Sequence, residues 1–145
     1  MKLIDFQLIM LLTILAFLAI CSYQDLRYRK AENKYVFLIA LLCIPLILIN
    51  NIEIFHIAII SLLVIFYRLG WMGGADIKVL IPLMASLPIF GIITLWKVAL
   101  MTYIGFVIAF VVRTRSISLK MEVPFMPSIF MGVLAYIIYI ILLLF

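Results

Sequence analysis

Two aspartates stand apart from the other charges of this chain. Asp25 follows Cys21-Ser-Tyr-Gln at the end of a long apolar run, and Asp76 closes Gly73-Gly74-Ala75 just before another. Charges next to a membrane are costly to keep, so such positions point to chemistry or to ion handling. Two carboxylates brought together near a low-dielectric boundary do not both ionise readily and tend to share one proton. A pair of that kind can drive water onto a peptide bond: the ionised member takes a proton from water while the neutral member donates to the carbonyl. Helix-end electrostatics predict an asymmetry, with Asp76 at an N-terminus as the anion and Asp25 at a C-terminus as the neutral partner. Gly73 and Gly74 would allow positive φ and let a substrate backbone come close. The plainer alternative is a loop glycine pair followed by an aspartate helix cap, and spacing alone leaves both readings open.

The remaining polar residues narrow the choice. Asp5 and Glu53 lie near the ends of apolar runs, where water solvates them, and Glu32 and Glu122 sit in the two larger polar stretches among Lys and Arg. His56 is alone and reads as structural. Cys21 and Cys43 lie inside apolar runs without CxxC spacing, so they read as small buried hydrophobes, with no metal site or redox pair indicated.

The elements that must position the aspartates follow from composition. Of 145 residues, 70% are hydrophobic, and only 11 Lys and Arg and 6 Asp and Glu carry charge. A soluble domain is about half apolar and about a quarter charged, so an ordinary soluble domain is excluded. At roughly 20 residues per crossing the apolar content supplies about five spans. Breaks in the pattern raise this to six helical segments, at about 3–22, 35–49, 52–69, 75–88, 92–112 and 128–145. Helix is required because a spanning backbone must satisfy its own hydrogen bonds, and the alternation of a barrel strand is missing. The expectation is an all-α, polytopic membrane helix bundle of about six transmembrane helices, one integral domain over 1–145. The second and fourth segments are short. Asn50-Asn51 predicts a tight turn, Pro88 to Gly91 another, and Pro124, Pro127 and Ser128 an extended entry with a serine cap to the last helix. The first apolar run has neither a basic region beyond Lys2 nor a small-residue cleavage site, which reads as a permanent span.

Charge gives orientation. The odd-numbered loops of the six-span arrangement hold Arg27, Arg29, Lys30, Lys34, Arg68, Lys78, Arg113, Arg115 and Lys120, while the other side has Lys2 and Lys97. Retention of cations inside makes the odd loops cytoplasmic, with both termini outside. The surplus of five positive charges then reports sidedness and lipid headgroups rather than nucleic acid. Two spans separate Asp25 from Asp76, so both emerge on the cytoplasmic side.

In combination these features resemble the type IV prepilin peptidases and archaeal preflagellin peptidases, membrane aspartic proteases with a G-x-G-D motif. Asp25 with its basic loop and Asn33 is similar to the family's first aspartate and polar segment. Gly73-Gly74-Ala75-Asp76-Ile-Lys78 is similar to the second aspartate in its motif, and Val123-Pro-Phe-Met-Pro-Ser-Ile-Phe-Met-Gly132 to the proline-phenylalanine segment before the last helix. The third motif position is Ala75 instead of glycine, a methyl group that negative φ accommodates, and an isoleucine-proline pair before Asn33 is lacking. The resemblance implies an aspartic endopeptidase in a prokaryotic cell membrane, with Asp25 and Asp76 catalytic and Gly73, Gly74 and Ala75 as site backbone. Its substrates would be pilin-like or flagellin-like precursors with a short basic leader and a hydrophobic helix. Without the cysteine-containing insertion of larger relatives, peptidase activity alone is expected, with no zinc and no methyl donor. Glu32 and Glu122 are candidates to pair with leader Lys or Arg, against ordinary salt bridges to their own neighbours. The competing classes are a small proton- or cation-coupled transporter or channel subunit, whose carboxylates would lie near the bilayer midplane, and a non-catalytic assembly subunit of a pilus or secretion apparatus.

Overall fold

The computed structural model describes residues 3–28, 31–70, 72–114 and 125–144, and the regular elements among them are six α-helices: α1 (Leu3–Tyr28), α2 (Asn33–Ile49), α3 (Ile54–Arg68), α4 (Gly74–Ser86), α5 (Ile89–Thr114) and α6 (Met126–Leu144). The six apolar runs therefore become six helices. Three of them, α1, α5 and α6, are long and apolar enough to cross a membrane. At 1.5 Å per residue, the 17 residues of α2 and 15 of α3 reach about 25 and 22 Å. The 13 residues of α4 reach about 20 Å, short of a hydrocarbon core of about 30 Å. A polytopic bundle stands, with six helices of which three have full spanning length.

Several boundaries move for local reasons. α1 runs on to Tyr28, because Ser22 to Leu26 includes no Gly or Pro to stop it, and Asp25 thus sits within its last turn rather than after it. α6 starts at Met126, since Pro127 costs nothing in a first turn whose N–H groups have no intrahelical partner. Ser128 is then a helical residue, not the expected cap. Between α2 and α3, Asn51 takes φ 34, and Gly70 takes φ +74 just after α3, where a residue without Cβ turns the chain at no steric cost.

α1 packs on α2 and α6, α2 on α4, α4 on α3, and α5 on α6. α4 is the most enclosed: Val79, Leu80, Leu83 and Met84 are all at most 1% exposed, and they meet Ile14 and Leu18 of α1, Ile39 of α2 and Ile129 of α6 in one core. Large apolar side chains such as Leu48, Ile54, Met101 and Leu142 instead point outward, as expected where lipid is the solvent. Lipid tails are as apolar as the core, so association rests on close packing rather than on the hydrophobic effect. Glycine supplies that closeness between α5 and α6. A Cβ on Gly132 would lie 2.7 Å from the Leu95 carbonyl oxygen, and one on Gly91 would lie 2.8 Å from the Tyr136 ring.

Polar side chains inside the apolar helices answer their own backbone. The hydroxyls of Thr13, Ser61, Thr94 and Thr102 donate to carbonyls four residues back at 2.8 to 2.9 Å, which removes an otherwise costly exposed donor. The end of the bundle remote from the aspartates is closed by a cross-helix network. Gln7 of α1 donates to Asn50 Oδ1 (3.2 Å), and Asn50 Nδ2 donates to the Ser86 carbonyl at the end of α4 (2.8 Å). His56 of α3 accepts from the Glu53 N–H through Nδ1 (3.1 Å), so its Nε2 carries the proton and donates to the Leu87 carbonyl at 2.9 Å. His56, 1% exposed, is accordingly structural.

Adding volume at the α5–α6 contact is predicted to loosen the bundle. Gly132→Val meets backbone that cannot retreat and should cost about 1–3 kcal/mol, read as a lower unfolding temperature in detergent. Gly105→Ala, where a Cβ meets nothing within 4 Å, should not lower it, since alanine favours a helix interior over glycine; equal losses at both positions would refute the packing argument.

Candidate active site

Asp25 projects from the last turn of α1, and its Oδ2 accepts a hydrogen bond of 3.2 Å from the backbone N–H of Met126, the first residue of α6. A helix N-terminus carries unpaired N–H groups and partial positive charge, so it is a favourable seat for an anion. The contact joins residues 101 apart. Its second half is set by Phe125, whose ring packs edge-on against Tyr103 of α5 at 5.2 Å and so fixes where α6 begins. On the other flank, Gln24 Nε2 donates to Glu32 Oε1 (3.0 Å) and the Glu32 N–H donates to Gln24 Oε1 (3.1 Å). That reciprocal pair holds the start of α2 against the end of α1, one residue from Asp25.

Asp76 lies in the first turn of α4, which is not one of the three long spans, three residues after the capping Gly73. Its carboxylate accepts the Gly73 backbone N–H, the reach-back half of a capping box. Burial pushes its carboxyl from the usual range up to about 7, the negative charge of Asp25 adds to the rise, and the Gly73 N–H works in the other direction. The two acids therefore feel each other's charge although 51 residues separate them in sequence. The chain brings Asp25, at the C-terminal end of one helix, within electrostatic reach of Asp76, at the N-terminal end of another.

For Asp76 the direction departs from the helix-end expectation. Helix-end charge alone made Asp76 the anion, but burial and a neighbouring carboxylate outweigh one turn of α4, while Asp25 gains a helix N-terminus from α6 that local sequence does not reveal. Asp76 is the member that keeps a proton near neutrality, and Asp25 is the one supplied with a backbone donor.

The glycines also act differently from expectation. Gly73 adopts φ −69 and ψ 150, open to any residue, so positive φ is not its purpose. A Cβ there would lie 2.9 Å from Asp76 Oδ2; the missing side chain makes room for the carboxylate. Gly74 has only a 3.9 Å approach to Tyr67, an ordinary contact. Ala75 is helical, and Asn51 is the one non-glycine residue with positive φ among those described, so its methyl introduces no backbone strain.

Glu32 is already engaged by Gln24 and by an exposed ion pair with Lys34 at 2.6 Å. Glu122 lies outside the described residues. Local sequence gave no sign of the Met126 N–H or of Gln24, since both work through partners in other helices. Two buried hydroxyls near the site, Ser22 one turn before Asp25 and Ser128 in the first turn of α6, have no hydrogen-bond partner among the described residues. Cys21 and Cys43 are free and buried. No group of three or more His, Cys, Asp and Glu that could hold a metal occurs among the described residues.

The raised Asp76 carboxyl makes a prediction independent of any substrate. Hydrophobic carbodiimides label protonated carboxyls, and a pKa raised to about 7 means protonation persists through pH 6 and is lost as pH rises through about 7. Labelling of Asp76, mapped by mass spectrometry, should follow that curve, and Asp25→Asn should move the decline to lower pH because one of the two raising causes is gone. Labelling that ends below about pH 5 in the wild type would contradict this electrostatic account.

No curated protein and no solved structure matches the chain. A family model does: the one described as the type IV leader peptidase family matches residues 12–144, a stretch that holds both aspartates, the glycine motif and the proline-phenylalanine segment. With nearly the whole sequence inside that match, the chain belongs to the type IV leader peptidase family and is a peptidase.

Proposed function

We propose that this membrane peptidase is an aspartic endopeptidase that removes the short basic leader of pilin-like or flagellin-like precursors at the cytoplasmic face. The observation that carries the reading is the approach of Asp25 and Asp76, with the proton favoured on Asp76 and a backbone donor on Asp25. In the reaction, Asp25 takes a proton from a water molecule as that water attacks the scissile carbonyl carbon. Asp76 gives its proton to the carbonyl oxygen, which yields a neutral tetrahedral diol without a free oxyanion. Collapse passes the proton held by Asp25 to the departing amine, and a diol hydroxyl proton returns to Asp76, so the pair is restored. The single shared proton belongs to the pair, and its loss limits activity on the alkaline side.

Sidedness rests on charge. Arg27, Lys34, Arg68 and Lys78 stand at the same ends of their helices as the aspartates, which supports a cytoplasmic site under the retention of cations inside. For leader recognition, a cation reaching Glu32 must replace Lys34, one exposed ion pair for another, which gains little.

Co-expression with a precursor that has a basic leader tests the reading. Wild type should release the leader, and Asp25→Asn and Asp76→Asn should each lower cleavage by at least about a hundredfold, the scale of losing a general acid or base. Activity should decline above about pH 7 as the shared proton leaves. Full activity in either variant rules out the dyad, and a folded wild type that cleaves no such precursor overturns the substrate class.

A further inference from the structure

An open groove of about 440 Å³ runs between α2 and α4, and its lining on α4 begins at Lys78, two residues on from Asp76. Its lining includes Phe37 and Ala40 of α2 and Ile81 and Pro82 of α4, with Asn33 and Lys78 as its polar residues. We propose that this groove holds the first apolar residues after the scissile bond of the precursor and so selects their size. The inference rests on the leader-peptidase reading and adds to it the place where the substrate's helix start is read.

Three observations favour a peptide over a lipid chain as the occupant. First, Pro82 lies inside α4 and has no N–H, so the Lys78 carbonyl has no helical donor four residues on, and an acyl chain offers it nothing. A peptide backbone offers an N–H. Second, polarity runs in the right order. The Asn33 and Lys78 groups lie at the aspartate end of α2 and α4, and the walls beyond them are apolar, which suits a polar cleavage region followed by an apolar segment. Third, the lengths agree. Asp76 to Pro82 is six residues of helix, about 9 Å, and an extended peptide at about 3.3 Å per residue places about three residues over that distance. Phe37, 66% exposed, forms the outer lip.

The experiment uses the full chain in membranes with precursors that carry either three large apolar residues or three alanines directly after the cut. Ala40→Leu narrows the groove and should shift preference toward the alanine precursor by about tenfold or more, the scale of a filled apolar subsite. A uniform loss on both precursors, or no change, overturns the proposal. Second, photoreactive benzoylphenylalanine at position 37 should cross-link the precursor, whereas the same group at position 48, at the far end of α2, should not. Cross-links to lipid alone, or equal precursor yields at both positions, overturn it. A wild type that cleaves neither precursor refutes the leader-peptidase reading itself; one that cleaves both, with neither effect present, refutes only the groove.

Discussion

The hydrogen bond from the Met126 N–H to Asp25 is the contact around which the site end of the bundle is organised. It meets two demands at once. A carboxylate near a low-dielectric region needs a donor, and the first N–H of a helix needs an acceptor. Satisfying both with one bond fixes where α6 starts, which way it enters, and how closely it approaches α1. Asp76 uses the same device on a smaller scale, by turning back to the N–H of Gly73 within its own helix start. Both acids therefore sit at helix N-termini, yet they do not become alike. Burial and the neighbouring charge act on Asp76 and raise its carboxyl.

The far end of the bundle explains how a short helix can carry one of the acids. α4 is about 20 Å long and has two polar tethers at its C-terminal end, from Asn50 to the Ser86 carbonyl and from His56 to the Leu87 carbonyl. Each tether satisfies a carbonyl left open by the end of the helix. With its last turn held by α2 and α3 and its middle buried by Val79, Leu80, Leu83 and Met84, the axial position of α4 is set. Its first turn, and Asp76 with it, is then placed by the length of the helix alone.

Much of this was legible in the sequence because apolar runs and their breaks are local properties. The six helices, the turn at Asn51, the structural His56 and the buried cysteines all follow from residue type and spacing. The approximate ends did not hold where the competing signals were weak: the polar run Tyr23 to Asp25 reads as a loop by composition but contains no residue that stops a helix. The partners of the acid pair escape local reading for a different reason. Helix-end charge is visible locally, whereas the donor for Asp25 comes from a residue 101 positions away, and no periodicity encodes that partner. Apolar character fixes that a segment is buried or lipid-facing but not its length, and three of the six helices, α1, α5 and α6, have full spanning length.

The glycine motif shows how a family signature divides into parts with separate physical causes. At position 73 the requirement is space, because any Cβ would meet the Asp76 oxygen at 2.9 Å. At position 75 no such limit applies: the residue is helical, and Ala75 packs at the edge of the core. Alanine there restricts the unfolded chain more than glycine does and favours the helix by roughly 0.5–1 kcal/mol. The departure from G-x-G-D is therefore on the side of the motif where a methyl helps α4 start, while the glycine whose absence would displace the carboxylate is retained.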